Sequence, residues 1–313
     1  MDDLYSILKT FGKVKANVPL SRFTTFKIGG PAKFFVEVGN KEKFIGLLKY
    51  LSGEGVSYFI LGGGSNIIFS DLGFDGVVIR PKYEELSLVG NEITSSAGVL
   101  LAKVVNLALQ NSLSGLEWAA GVPGTVGGAV RGNAGAMGKE TANCVTEVEV
   151  WQDGEIQIMS AEECGFGYRE SNFKHNRVII LQAKYVLKER PKADILAEMQ
   201  KYLQQRSGRY PAYPSAGSFF KNVKVDNWPG DKSELPPLFI ERKMIPVGWL
   251  IEGVELKGYQ IGGAKFSDEH GNFIVNYDHA TQADVVALVE EAKTRVYNKY
   301  MVEIEPEVEI VTN

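Results

Sequence analysis

Six glycines fall within the fifteen residues of Gly121-Val-Pro-Gly-Thr-Val-Gly-Gly-Ala-Val-Arg-Gly-Asn-Ala-Gly135, and no other feature of this 313-residue chain limits its fold as strongly. Glycine at this density lets the backbone take positive φ and approach a ligand closely, so that successive N–H groups converge on an anion such as a phosphate. An earlier run, Leu61-Gly-Gly-Gly-Ser-Asn-Ile67, follows the apolar segment 58–61 in the same manner. Both runs are interrupted by Asn66, Thr125 and Asn133 rather than by charge. A nucleotide held by backbone amides fits such loops; two mobile surface loops are the alternative.

The segments around the runs alternate between the two periodicities. Leu4, Ile7, Leu8 and Phe11 predict a short first helix, Phe34, Val36 and Val38 a strand, and Asn40 caps a helix marked by Phe44, Leu47, Leu48 and Leu51. Residues 76–80 close this first βαβ-like unit. A helix is expected over 99–113, followed by strands 145–151 and 155–159 joined at Asp153-Gly154, a dipeptide suited to a type I′ turn. Strand 178–187 and a helix after Pro191 come next. Arg206-Ser-Gly-Arg-Tyr-Pro-Ala-Tyr-Pro214 reads as a linker and places a boundary near residue 205. Beyond it lie a long proline-containing excursion at 223–246, a third glycine cluster at 257–264, and a helix started by the Thr281/Asp284 capping-box pattern. Residues 301–310 alternate as a C-terminal strand. Val302, Ile304, Val308 and Ile310 face one side, four glutamates face the other, and Pro306 marks an edge or bulge.

Several chemistries are excluded. There is no Gly-x-x-x-x-Gly-Lys-[Ser/Thr], no third glycine to complete Gly-x-Gly-x-x-Gly after Gly62, and no Gly-x-Ser-x-Gly. His175, His270 and His279 lack metal-ligand spacing, so no metal site is expected, and Cys144 and Cys164 read as packing thiols. A net charge of −4 argues against a nucleic-acid partner. No leader-like N-terminus and no apolar run of membrane-spanning length is present, which predicts a cytoplasmic protein with no membrane partner.

Eight motifs stand in the order and spacing of one family. They are Arg22-Phe-Thr-Thr-Phe-Lys-Ile-Gly-Gly30, the run at 61–67, Ala120-Gly-Val-Pro-Gly-Thr-Val-Gly-Gly128, Gly132-Asn-Ala-Gly-Ala136, Tyr168-Arg-Glu-Ser171, Ala216-Gly-Ser-Phe-Phe-Lys-Asn222, Gly258-Tyr-Gln-Ile-Gly-Gly263 and Glu305-Pro-Glu-Val308. From about residue 17 onward the chain resembles the UDP-N-acetylenolpyruvoylglucosamine reductases. The resemblance implies an α+β fold: a two-lobed FAD-binding module of the vanillyl-alcohol-oxidase type over 1–80 and 81–205, plus a C-terminal α+β substrate-binding domain over 206–313. It implies an enzyme that passes hydride from NADPH, by way of non-covalent FAD, to the enolpyruvyl group of UDP-N-acetylglucosamine enolpyruvate in peptidoglycan precursor synthesis; a monomer is expected.

By motif position, the resemblance assigns FAD binding to Gly62, Gly63, Gly64, Ser65, Asn66 and Ile67, to Gly121, Pro123, Gly124, Thr125, Gly127 and Gly128, and to Asn133. It makes Arg169 and Glu307 the groups that bind the substrate carboxylate and Ser218 the proton donor. Arg206, Arg209, Lys221, Asn222 and Gln260 are the candidates for diphosphate and sugar contacts. Each residue has a plainer alternative: Arg169 as a surface arginine, Glu307 as one of four solvated glutamates, Ser218 as a turn residue. Only 48 residues lie between Arg169 and Ser218, the shorter form of the family without a tyrosine lid. The 223–246 excursion is the expected substitute for that lid. Thr24 stands where the family commonly has asparagine. A flavin oxidase on the same fold and a non-catalytic nucleotide-binding protein remain the rival readings.

Overall fold

At Asp153-Gly154 both residues take positive φ, 52° and 90°, as a type I′ turn requires. Strands Val145–Gln152 and Glu155–Ser160 leave it in strict register from Gln152↔Glu155 to Glu147↔Ser160. The chain, described here by a computed structural model over residues 2–208 and 210–312, divides into two compact units. The first comprises residues 1–18, 32–63 and 75–207; the second comprises 19–31, 64–74 and 208–313.

In the first unit the hairpin belongs to an antiparallel five-stranded sheet, ordered Glu155–Ser160, Val145–Gln152, Ile179–Val186, Glu92–Ser96, Leu86–Val89. Successive residues of a strand point to opposite faces, so neighbours enter different cores. Val150 packs with the helices Leu101–Gln110 and Val126–Arg131, whereas Trp151 joins Phe34, Phe44, Leu48 and Ile79. That second core lies under a four-stranded sheet, ordered Lys13–Pro19, Pro31–Val38, Phe74–Pro81, Tyr58–Ile60, in which the last two run parallel. Asn40 accepts from the Lys43 N–H at 2.9 Å and starts helix Lys41–Gly53, whose Phe44, Leu47, Leu48 and Leu51 are fully buried. Each such side chain contributes about 1.5–3 kcal/mol of transfer free energy. Cys144 and Cys164 are unpaired and buried, and burial pushes their thiols up to about 12 and about 11.

In the second unit a four-stranded antiparallel sheet runs Ser215–Ser218, Phe273–Asn276, Ala264–Phe266, Gln260–Ile261. Helix Gln282–Tyr300 packs through Val285, Leu288, Val289, Ala292 and Val296, and its capping box is formed as the sequence predicts: Thr281 Oγ1 accepts from Asp284 N and Asp284 Oδ2 from Thr281 N. Two expectations are corrected here. Residues 223–246 are not a free lid: Val223–Lys224 pairs with Met244–Ile245, and Val223, Val225, Leu235 and Ile245 are buried in this unit's core. The C-terminal strand is only Glu309–Val311, parallel to Ile67–Phe69, although Val302, Ile304 and Val308 are buried in alternation as expected. Pro306 lacks a donor and makes a single bridge to Phe220, so no regular ladder forms there.

Candidate functional site

Strand Tyr58–Ile60 ends where Leu61 N–H donates to Ile79 O at 2.8 Å, and the chain enters Gly62 and Gly63. Within the first unit these two glycines lie directly against the second glycine run. A Cβ on Gly62 would stand 2.6 Å from Thr125 Oγ1, and one on Gly63 would stand 2.7 Å from Gly124 Cα. Glycine is required at 63 because backbone meets backbone there, and at 121 and 124 because φ is +76° and +124°. Among the described residues the N–H groups of Gly62, Gly63, Gly121 and Gly124 have no protein acceptor. Four amides without an acceptor among the described residues, on two touching loops, are donors an anion can take up, and the diphosphate of a dinucleotide fits that donor set.

The rest of the second run is spent internally. Gly127 donates to Ala97 O, a Cβ there would stand 2.9 Å from Ala97 Cβ, and Thr125 caps the helix by accepting from Gly128 N. Pro123 is exposed on the same loop. Asn133 is fully buried, with its Nδ2 donating to Gly167 O at 2.8 Å and its Oδ1 accepting from Ala142 N at 3.0 Å. Both ends of its amide are occupied, so it braces the loop.

Asn133 reaches the turn that carries Arg169. Gly167 and Glu170 exchange backbone hydrogen bonds at 3.0 Å, leaving Tyr168 and Arg169 at the tip. Arg169 takes φ +55°, a conformation held by its surroundings. Its Nη2 donates to Gly135 O at 2.6 Å, and the guanidinium lies 5.2 Å from the Tyr168 ring centroid. The structure thus gathers the end of the glycine segment, Asn133 and Arg169 into one corner of the first unit. Arg206 is not a linker residue: it ends helix Lys192–Arg206, is 9% exposed, and donates to Trp118 O at 2.7 Å. Arg206 is thus held in the first unit by its fold contacts, in place of the solvated linker position expected. Arg209 lies outside the described residues.

Four further candidates meet in the second unit. Ser218 ends its strand after a bulge in which Gly217 takes φ +83°, and its exposed hydroxyl has no hydrogen-bond partner among the described residues. The next residues run beside 305–307: Glu307 N–H donates to Phe219 O at 2.7 Å, and Lys221 N–H donates to Glu305 O at 2.9 Å. Ser218 and Glu307 are therefore neighbours, with Lys221 and Asn222 on the same segment. Lys221 Nζ is 3.4 Å from Glu305, and Asn222 Oδ1 accepts from Val247 N at 3.2 Å. Gln260 is not gathered with them. It lies on the opposite edge of the four-stranded sheet from Ser218, about 14 Å across at about 4.8 Å per strand and offset further along the strands, since its register leads to Ser215.

The remainder of the first glycine run also belongs to this unit. Gly64 takes φ +66°, and a Cβ there would stand 2.0 Å from Phe23 O. Asn66 Nδ2 donates to Glu307 O at 3.0 Å, Ile67 pairs with Glu309, and Ser65 is half-buried. Thr24 closes its own loop by donating to Ile28 O. Thr25, which carries no site role in the motif, donates to Ser215 O at 2.7 Å, two residues from Gly217. Lys139, Arg190 and Glu198 carry no spacing signal in the sequence, yet Glu198 bonds both cations in the first unit. None of the histidines lies in a glycine run, and no metal-binding cluster occurs among the described residues.

An α+β chain in which two glycine runs meet to present unspent amides defines a dinucleotide-binding protein. Its kind is given by family models: the FAD binding domain matches residues 32–160, and the UDP-N-acetylenolpyruvoylglucosamine reductase C-terminal domain matches 209–311. Among its relatives, the UDP-N-acetylenolpyruvoylglucosamine reductase of Caldanaerobacter subterraneus subsp. tengcongensis is 39% identical over 99% of this chain and 97% of its own. That of Bacillus subtilis is 36% identical over 96% and 94%. The crystal structure of the Thermus caldophilus enzyme superposes with a TM-score of 0.78 at 36% identity, covering 96% of this chain and 100% of its own. The chain belongs to the UDP-N-acetylenolpyruvoylglucosamine reductase family and is an FAD-dependent oxidoreductase. No helix among its described residues is long and apolar enough to cross a membrane.

Proposed function

We propose that this chain reduces the enolpyruvyl group of UDP-N-acetylglucosamine enolpyruvate to UDP-N-acetylmuramate with NADPH, using Ser218 as proton donor and Arg169 and Glu307 as the carboxylate-binding pair. Reduction adds a hydride equivalent to one carbon of the double bond and a proton to the other. Bound FAD supplies the two-electron chemistry. The amides of Gly62, Gly63, Gly121 and Gly124 hold its diphosphate, with the rest of the runs 62–67 and 121–128 shaping the cradle and Asn133 bracing it.

The observation that carries the reading is the corner at Ser218. A hydroxyl with no hydrogen-bond partner among the described residues ends a strand whose next carbonyl is bound by the N–H of Glu307. A serine hydroxyl is a weak acid, but the enolate carbon formed on reduction is strongly basic and accepts its proton. The negative charge that spreads into the substrate carboxylate meets the planar fork of Arg169, which is matched to carboxylates. Glu307 helps there when its carboxyl is protonated. Lys221, Asn222, Gln260 and Arg209 serve the diphosphate and sugar. The reading includes a three-part division into 1–80, 81–205 and 206–313, with segments 19–31 and 64–74 folding with the third part. It also includes action as a monomer in the cytoplasm, without nucleic-acid or membrane partners, in keeping with the net charge of −4.

Ser218→Ala tests it. NADPH should still bleach the yellow protein at the wild-type rate, while recovery of colour with the enolpyruvyl substrate slows by roughly 10²- to 10⁴-fold. Recovery at the wild-type rate would remove Ser218 from the chemistry.

A further inference from the structure

Helix Lys192–Arg206 buries Ile195 and Met199, and from it Glu198 gathers three partners. Lys139 Nζ and the Tyr202 hydroxyl donate to its Oε1 at 2.9 and 2.7 Å, and Arg190 Nη1 donates to Oε2. The Glu198 side chain is only 18% exposed. Arg190 also stands 3.8 Å from the wholly buried Glu117, whose carboxylate accepts from Ser114 Oγ and Gly115 N. Glu117 precedes the glycine segment and is held by Ser114, Gly115 and Arg190 without Glu198, whereas Lys139, which follows the segment, is held by Glu198 directly.

Lys139 is itself part of a ribbon. Residues Lys139–Glu140 pair with Gly135–Ala136 in the register Lys139↔Ala136 and Glu140↔Gly135. Two residues per strand have little stability of their own, so the ribbon's position is set by what holds it from outside. The fit is close: a Cβ on Gly135 would stand 2.6 Å from Lys139 O, so a shift of one strand moves the other. The carbonyl of Gly135 is the acceptor for Arg169 Nη2 at 2.6 Å.

We propose that Glu198 is a positioning residue for Arg169: through Lys139 and the 135–140 ribbon it sets where the guanidinium stands, and hence how the substrate carboxylate is held. The proposal rests on the reading of Arg169 as the carboxylate partner. A helix tied down by its apolar face alone would need no carboxylate with two cationic partners on other segments.

The holoenzyme tests it with Glu198→Ala and Lys139→Met, each alone and combined with Arg169→Ala, and with Lys139→Arg as the conservative control. Misplacing a binding group by a fraction of a bond length lowers rate without touching the chemistry, so Glu198→Ala and Lys139→Met should each slow the enolpyruvyl half-reaction roughly 10- to 100-fold. FAD content and the NADPH half-reaction should stay at wild-type levels, and Lys139→Arg should retain activity. In the Arg169→Ala background neither change should slow the step further, the signature of two residues acting through one. An equal slowing in that background, or a fall in FAD affinity that matches the fall in rate, would overturn the proposal. An Arg169→Ala enzyme with an intact enolpyruvyl step would instead overturn the reading of Arg169 on which the proposal stands.

Discussion

At the junction of residues 62–63 with 124–125 the groups on offer are main-chain amides, whereas beside Ser218 they are side chains carried on the ends of short strands. The first arrangement depends on what is missing: no side chain fits between Gly63 and Gly124. The second depends on what is present, a hydroxyl without a hydrogen-bond partner among the described residues, on a segment whose next carbonyl is bound by the Glu307 N–H. A site made of amides is therefore damaged by adding atoms and one made of side chains by removing them. The two kinds of damage separate into loss of cofactor and loss of turnover.

The largest break expected is on the side-chain side. Ser218→Ala should leave melting temperature and FAD content unchanged while turnover falls, because the exposed hydroxyl carries no fold-stabilising contact. Next comes Gly63→Val, which forces the two glycine runs apart. Overpacking of about 1–3 kcal/mol predicts roughly 5- to 150-fold weaker FAD binding by titration, with Gly128→Ala, whose Cβ would meet nothing closer than 3.6 Å, near wild type. Asn133→Ala removes the brace between the cradle and the Arg169 turn and leaves two half-buried backbone groups, Gly167 C=O and Ala142 N–H, without that partner. It should cost about 0.5–1.5 kcal/mol per lost hydrogen bond in denaturant unfolding.

The smallest effect concerns acid. The partners of Glu198, Arg190 first, then Tyr202 and Lys139, hold its carboxyl down to about 2 from an ordinary 4.5. A lowered folded-state pKa means stability that is full above pH 4.5 and is lost as pH falls toward 2. Melting temperatures of Glu198→Ala and wild type should therefore converge across that window. Parallel curves would show that the hub is not electrostatic.

Much of the fold was legible because it is local. The Asp153-Gly154 turn, the Asn40 and Thr281 caps and the buried stripes of helices Lys41–Gly53 and Gln282–Tyr300 follow from residues within one or two turns of each other. The failures are equally instructive. Alternation over 301–310 reported burial correctly but not pairing, because a strand needs a partner and the sequence does not say where one ends. Prolines in 223–246 suggested a loose excursion, yet Val223, Val225, Leu235 and Ile245 anchor it. Arg206 looked like a solvated linker residue until Trp118, far back in the chain, took its donor.

By itself, the sequence determined the family, the glycine runs and the residue types available for chemistry, since motifs and propensities are properties of neighbouring residues. Only the tertiary structure decided that Gly63 meets Gly124, that Glu307 stands beside Ser218, and that Glu198 reaches the ribbon supporting Arg169. Each of these joins residues tens of positions apart. Such contacts form when packing of the whole core repays the entropy of closing long loops, a balance that no local stretch of sequence records.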